Sequence, residues 1–293
     1  MRATTHRRLV RAVLARLNVE LSQGSINRLV NLVARLDERA RPRIKHHEMY
    51  NVGTIWRYIK SARMDYLGYT ITKWARLEDS MVYYLGVALH LAHDALVPSP
   101  RYEKKLHDRI EAALAKRKVP VEEIRRVLAC VKSPHVEAFE VLGLLTPHDD
   151  PEKALRTATV VTTKILYAVL GPVEPPPDVT ERVKEFRRRI EEAEARLNEV
   201  KLKHEVYVHR ANIVGLTILS IALLASILLV FIHLISMSSI VLLISLIVTL
   251  VARVMILRRD EEYYSAKKIF KDAKDAYKNY MKSDEVTWYR LKG

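Results

Sequence analysis

Two pairs of side chains in this sequence share one spacing and one chemistry. His90 and Asp94 lie four residues apart, and so do His107 and Glu111. In a helix, residues i and i+4 leave the same face about one turn apart. An imidazole and a carboxylate placed this way can close on one divalent ion. Residues 81–111 read as a helix, a break at Pro98 and Pro100, and a second helix, with one pair on each. His93 stands beside His90 and can join the ligands or support them. The competing reading is two solvated helix salt bridges, with His90 as a satisfied core histidine. Against it, His90 lies inside the apolar run 85–91, where a carboxylate without a partner is costly.

The stretch LGVALHLAHDALVP, followed by a second His-x3-Glu, resembles the zinc-dependent phospholipase C superfamily, which also includes the fungal single-strand-specific zinc nucleases. The resemblance covers roughly residues 6–170. It implies an all-helical domain around a cluster of up to three zinc ions. The family's ligands are an early histidine, an aspartate, a second histidine, a His-x3-Asp, a further histidine and a final His-x3-acid. By that resemblance His6 stands for the early histidine, and His46 or His47 for the second. His90 with Asp94 and His107 with Glu111 match the two spaced pairs. Gly24, Ser25 and Ile26 resemble a turn that in the family continues to Pro-Asp. Asn27, Arg28 and Leu29 stand there instead, and Asp37 is the nearest substitute acid. Pro100 occupies the place of the further histidine. The family's secreted members also ligate metal with a processed N-terminal amine, whereas this chain begins with Met1. A site of one or two ions is therefore expected, with zinc suited to mixed imidazole and carboxylate ligands. A degenerate descendant without metal is the alternative.

The elements that must position these residues are helices. Residues 5–40 read as two amphipathic helices parted by a turn at Gln23, Gly24 and Ser25. Leu9, Val10, Val13, Leu14 and Leu17 form one apolar stripe, and Leu29, Val30, Leu32, Val33 and Leu36 form the other. Residues 50–95 are mostly helical and rich in aromatics. Tyr83, on the face of His90, can line a pocket, though core packing is its expected role. His135 and His148 lie in Pro-containing turns without ligand spacing. Further helices fill 119–170, and the proline run 173–178 makes a semi-rigid linker.

Beyond the linker the pattern changes. Val179, Val183, Phe186, Ile190, Ala193, Leu197, Val200, His204 and Tyr207 follow a 4-3 spacing, a coiled-coil seam of about four heptads. Residues 211–235 and 240–257 are apolar, at ~37 and ~27 Å as helices, each about one bilayer. Tyr263, Ala266, Phe270, Ala273, Tyr277 and Tyr280 resume the seam on the way back. The expected organisation is all-α. A phospholipase-C-like metal-binding domain (1–172) and the linker (173–178) lead into a coiled-coil arm (179–210). A transmembrane helical hairpin (211–257) and a returning arm (258–293) follow. Arg210, Arg253, Arg258 and Arg259 cluster at the open end of the hairpin, so the positive-inside rule places both termini in the cytoplasm, on a two-span protein of the cell membrane.

Composition narrows the function. A net charge of +15 favours anionic partners, whether membrane lipid, a phospholipid substrate or nucleic acid. The single cysteine, Cys130, excludes an intrachain disulfide and is expected in the core. The basic N-terminal stretch lacks a continuous apolar segment and does not read as a signal peptide. Paired divalent ions polarise phosphoryl oxygens and acidify water. The leading expectation is thus a membrane-anchored, metal-dependent phosphodiester hydrolase acting on phospholipid headgroups or nucleic acid. The alternative is a non-catalytic membrane scaffold or complex subunit, with homo-oligomerisation through the coiled coil compatible with either.

Overall fold

The computed structural model describes residues 1–19, 21–36, 52–172, 175–231 and 235–288. The candidates Asp37, His46 and His47 lie outside these residues. Every regular element among the described residues is a helix, as expected for an all-α chain. The chain divides into two compact units. One comprises Met1–Lys184 together with Tyr280–Gly293, and the other Glu185–Asn279.

In the first unit, α1 (Ala3–Leu14) and α2 (Gln23–Arg35) bury the stripes their sequences announce. Leu9, Val10, Val13 and Leu14 face inward from α1, and Leu29, Val30 and Val33 from α2. Ser22 starts α2 by accepting a bond from the Ser25 amide, which satisfies one of the amides a helix start leaves without an intrahelical partner. Next come α3 (Val52–Thr72) and α4 (Ala75–Asp94), an antiparallel pair joined by a short turn in which Lys73 takes a left-handed φ of 53°. Helix α4 presses closely on α2. A Cβ at Gly86 would sit 2.6 Å from Leu32 Cδ2, so only glycine permits this approach without a shift.

Ser99 caps α5 (Pro100–Lys116), with Pro100 pre-set for a first turn. The helix is kinked at Glu103, so its regular part begins just before His107. Then follow α6 (Val121–Cys130), α7 (Pro134–Leu144) and α8 (Pro151–Leu170). Helix α8 is the hub of this unit. It is buried on nearly every face and packs against α1, α3, α4, α5, α6 and α7. Each Leu or Ile it buries contributes about 1.5–3 kcal/mol, while its small residues, such as Ala158 and Thr162, let neighbours come close. Cys130 is exposed, not in the core: it is the last residue of a helix whose one buried side chain is Ile124. Tyr83 is likewise 46% exposed, packing edge-on against Tyr84 and lining neither core nor site.

The same unit reclaims the end of the chain. In α11 (Asp284–Thr287) the Thr287 carbonyl accepts from buried Arg63, which also donates to the carbonyls of Val169 and Gly171 at the end of α8. The negative end of a helix favours a cation there. Trp288 stacks on Trp56, with ring centroids 5.6 Å apart.

The second unit is built from the long helices α9 (Pro177–Phe231) and α10 (Ile235–Met281). Phe186 meets Tyr277, and His204 meets Asp260 and Tyr263, pairings that place the two helices antiparallel in one register. From Val179 to Tyr207 each residue at the 4-3 positions is buried or half-buried, while most of those between are exposed. His204 therefore has a structural place in the seam. The segment Pro177–Leu228 is long and apolar enough to cross a membrane, and Ile240–Val251 is a shorter apolar stretch. Leu216, Leu224, Leu228, Leu246 and Leu250 are among many large apolar side chains exposed along both.

A candidate metal centre

Four helices of the first unit supply the groups. Helix α1 contributes His6 and, just ahead of it, the Met1 amine. The last turn of α4 contributes His90, His93 and Asp94. The regular part of α5 contributes His107 and Glu111, and α8 contributes Thr162. His6, His90 and Asp94 are fully buried or nearly so, and one potential ligand atom from each lies within 4.8 Å of the others.

Asp94 is the common partner. Its Oδ1 accepts from the Met1 α-ammonium at 2.6 Å and lies 3.6 Å from His6 Nε2. Its Oδ2 lies 3.2 Å from His90 Nε2. The ammonium also reaches Glu111 Oε1 at 3.1 Å, and that oxygen is 3.4 Å from His107 Nε2. The two i,i+4 pairs of the sequence are thus brought to one place, with the α-amine between their carboxylates. His93 does not join them. It stacks beside His6, Nδ1 to Nδ1 at 2.8 Å, and its other nitrogen meets Thr162 Oγ1 at 2.7 Å.

The outer nitrogens of two histidines are fixed by carbonyls. His90 Nδ1 lies 3.0 Å from the Val33 carbonyl, one of the last four of α2. His107 Nδ1 lies 2.8 Å from the Pro98 carbonyl in the break before α5. A carbonyl oxygen only accepts, so each Nδ1 carries the ring proton. In a neutral ring Nε2 then presents a lone pair, and each such lone pair faces a carboxylate oxygen. Lone pair against lone pair is repulsive unless a cation lies between them, either a second ring proton or a metal ion. Carbonyl support of the outer nitrogen is also the usual way metal-binding histidines are oriented.

Electrostatics reinforce this. Burial disfavours a charged α-amine, but Asp94 and Glu111 outweigh it and raise its pKa above the usual value. Burial disfavours ionised Asp94 too, yet the ammonium above all holds it well below the usual carboxylate range. For His6, burial acts first and the ammonium and His93 next, and together they keep the ring well below its ordinary pKa. His93 is lowered to about 3, chiefly by burial. The centre therefore holds two buried neutral imidazoles beside an ionised carboxylate.

The sequence singles out His6, His90, Asp94, His107 and Glu111, which the structure brings together, but not the contacts made by the Met1 amine, Thr162 or the Val33 and Pro98 carbonyls. No spacing signals a carbonyl or a hydroxyl. His135 lies instead against the rings of Trp56 and Trp288, and the His148 amide bonds the Leu96 carbonyl. No protein-family model, curated protein or solved structure matches the chain.

Proposed function

We propose that the chain is a membrane-anchored, metal-dependent phosphodiester hydrolase, with one or two divalent ions, zinc foremost, held by His6, His90, Asp94, His107 and Glu111. One observation carries the metal reading: the Nε2 atoms of two imidazoles, held by backbone carbonyls on the far side of each ring, converge on two carboxylates. That donor set fits a borderline-soft dication. When bound, such an ion supplies Lewis acidity toward a phosphoryl oxygen and toward water. The chain's own groups do the rest. Asp94 spans His6, His90 and the α-amine, and so is suited to bridge two cations. Glu111 keeps its side chain 17% exposed, which puts the approach of water and substrate on the α5 side. The hydrolytic step and its substrate, a phospholipid headgroup or nucleic acid, rest on the resemblance to the zinc phospholipase C superfamily.

In the same proposal α9 and α10 form two membrane spans, 211–235 and 240–257, with both ends cytoplasmic and the paired arms acting as a coiled-coil stalk. So many exposed leucines, isoleucines and valines along both helices far exceed what a water-facing surface carries.

A second reading has its own support. His6, His90 and Asp94 are at most 2% exposed, and closed sites are characteristic of structural metals. Such a domain would be a non-catalytic scaffold. The deciding experiment uses the full chain in detergent beside a His90→Ala/His107→Ala variant. Metal content is measured by mass spectrometry, followed by hydrolysis of phospholipid and single-stranded nucleic acid. One or two zinc ions with hydrolysis, both lost in the variant, supports the hydrolase. Zinc without hydrolysis supports the scaffold. A folded, metal-free wild-type chain overturns the hydrolase and leaves a scaffold without metal.

A further inference from the structure

We propose that His93 and Thr162 are positioning residues that hold His6 as its Nδ1–H tautomer, so that His6 Nε2 is the atom offered to the ion. This rests on the metal-centre reading, and it follows from counting protons along one chain of contacts.

Thr162 Oγ1 lies 2.5 Å from the Ala158 carbonyl. Two oxygens that close repel unless a proton lies between them, and the carbonyl has none to give. The hydroxyl proton is therefore spent there, and Thr162 Oγ1 can only accept from His93 Nε2, 2.7 Å away. Neutral His93 has one ring proton, which this places on Nε2. Its Nδ1 is then an acceptor, and His6 Nδ1, 2.8 Å away, must donate to it. His6 in turn has one ring proton, now on Nδ1. Its Nε2 carries a lone pair on the side of Asp94 Oδ1 and His90.

The opposite polarity fails at the threonine end. It would turn the Thr162 hydroxyl away from the Ala158 carbonyl at 2.5 Å. It would also put a proton on His6 Nε2, on the side of Asp94 Oδ1. A proton there would block the nitrogen as a ligand. The polarity set by one threonine on α8 thus decides whether α1 presents a donor atom or an N–H to the centre. All four participants are fully buried or, for Ala158, in the core, so water does not compete for these bonds.

The test uses the full chain in detergent micelles. Histidine ring nitrogens are labelled with 15N, and the His6 signals are assigned with a His6→Gln variant. In the chelator-treated wild type, His6 is expected as the Nδ1–H tautomer. Thr162→Val keeps the shape but removes the acceptor. It is expected to scramble that tautomer and weaken zinc binding about 10–100-fold, read by competition with a chelating dye. Thr162→Ser keeps the hydroxyl and should bind as the wild type does, which a purely packing role for Thr162 would not produce. An Nε2–H tautomer of His6 in the wild type overturns the proposal, as does equal zinc affinity in the Val and Ser variants. Should the wild type bind no zinc, the metal reading fails, while the tautomer measurement still decides the relay. Should Thr162→Val not fold, the wild-type spectrum and Thr162→Ser decide it.

Discussion

Asp94 carries more than its share of the centre's charge. It is 2% exposed and faces an ammonium and two imidazoles. Removing its charge while keeping its shape leaves the α-ammonium with Glu111 alone. Breaking a buried ion pair on one side commonly costs ~3–5 kcal/mol, so Asp94→Asn should lower the stability of the metal-depleted chain by about that much, measured by urea unfolding in the presence of a chelator. A loss below ~1 kcal/mol would mean the amine is solvated and the pair is not buried in solution. The histidines give a pH dependence of their own. His6 and His93 are held below their ordinary pKa in the folded chain, His93 at about 3. Above pH ~6.5 both rings are neutral folded or unfolded, and their contribution is fully present. As pH falls below that, the unfolded chain takes protons the folded chain refuses. Stability then drops by up to ~1.4 kcal/mol per pH unit for each ring. Asp94, with a depressed pKa, adds its loss only below pH ~4. Urea midpoints at pH 7, 6 and 5 with chelator present should fall steadily, and a flat profile would show that these rings are not held neutral by burial. Acid release of zinc should follow the same direction.

At the scale of elements, the centre depends on how closely α2 and α4 approach. Gly86 is what lets Leu32 lie against α4, and one turn further along the Val33 carbonyl meets His90. Gly86→Ala would place a methyl 2.6 Å from Leu32 Cδ2. The leucine tip can rotate, but its Cγ would also be only 3.1 Å away, so α2 must shift slightly. The expected cost is ~1–2 kcal/mol, together with a several-fold loss of zinc affinity as the Val33 carbonyl draws away from His90. Alanine's better helix propensity works the other way by up to ~1 kcal/mol, so a net gain in thermal midpoint would mean the helices part without strain. This is also where the limit of the sequence lies. The spacing of His90 and Asp94, and of His107 and Glu111, is visible because helix geometry turns it into adjacency. That α1 would deliver His6 to the same point had only a family resemblance behind it, since no local pattern says which helices meet. The role of His93 was open between ligand and support, because its partner Thr162 lies on a helix 69 residues away and one threonine among several on α8 carries no signal. Cys130 looked internal because its neighbours are apolar, yet a short helix with one buried residue leaves its last position in water.

At the scale of the whole molecule, the chain leaves the helical unit along α9 and re-enters it at Tyr280, so that residues on both sides of the apolar stretch belong to one folded body. The 4-3 alternation of burial over 179–207 is legible in the sequence because such a spacing is local. The return of Thr287 to Arg63 is not, since a buried arginine reaching three carbonyls leaves no periodic trace. Any separation of the candidate centre from the apolar helices must respect that return. Cutting the chain at the proline run would remove Thr287 from Arg63 and Trp288 from Trp56, leaving a buried guanidinium and a stripped aromatic face. Replacing residues 211–257 with a short polar turn should avoid both losses. The pairing of His204 with Asp260 shows that the arms are in register just beyond the cut points, so a brief turn can close them. The shortened chain lacks the exposed band of leucine, isoleucine and valine along the two apolar stretches. It is expected to remain in solution without detergent, to keep its helix content, and to bind zinc with the stoichiometry of the full chain. That follows because the centre's named groups all lie between Met1 and Thr162. If the shortened chain aggregates while the full chain is soluble without detergent, the apolar helices are part of a soluble core and the membrane reading fails. If it is soluble but binds no zinc where the full chain does, the centre needs the removed segment, contrary to the placement of its ligands.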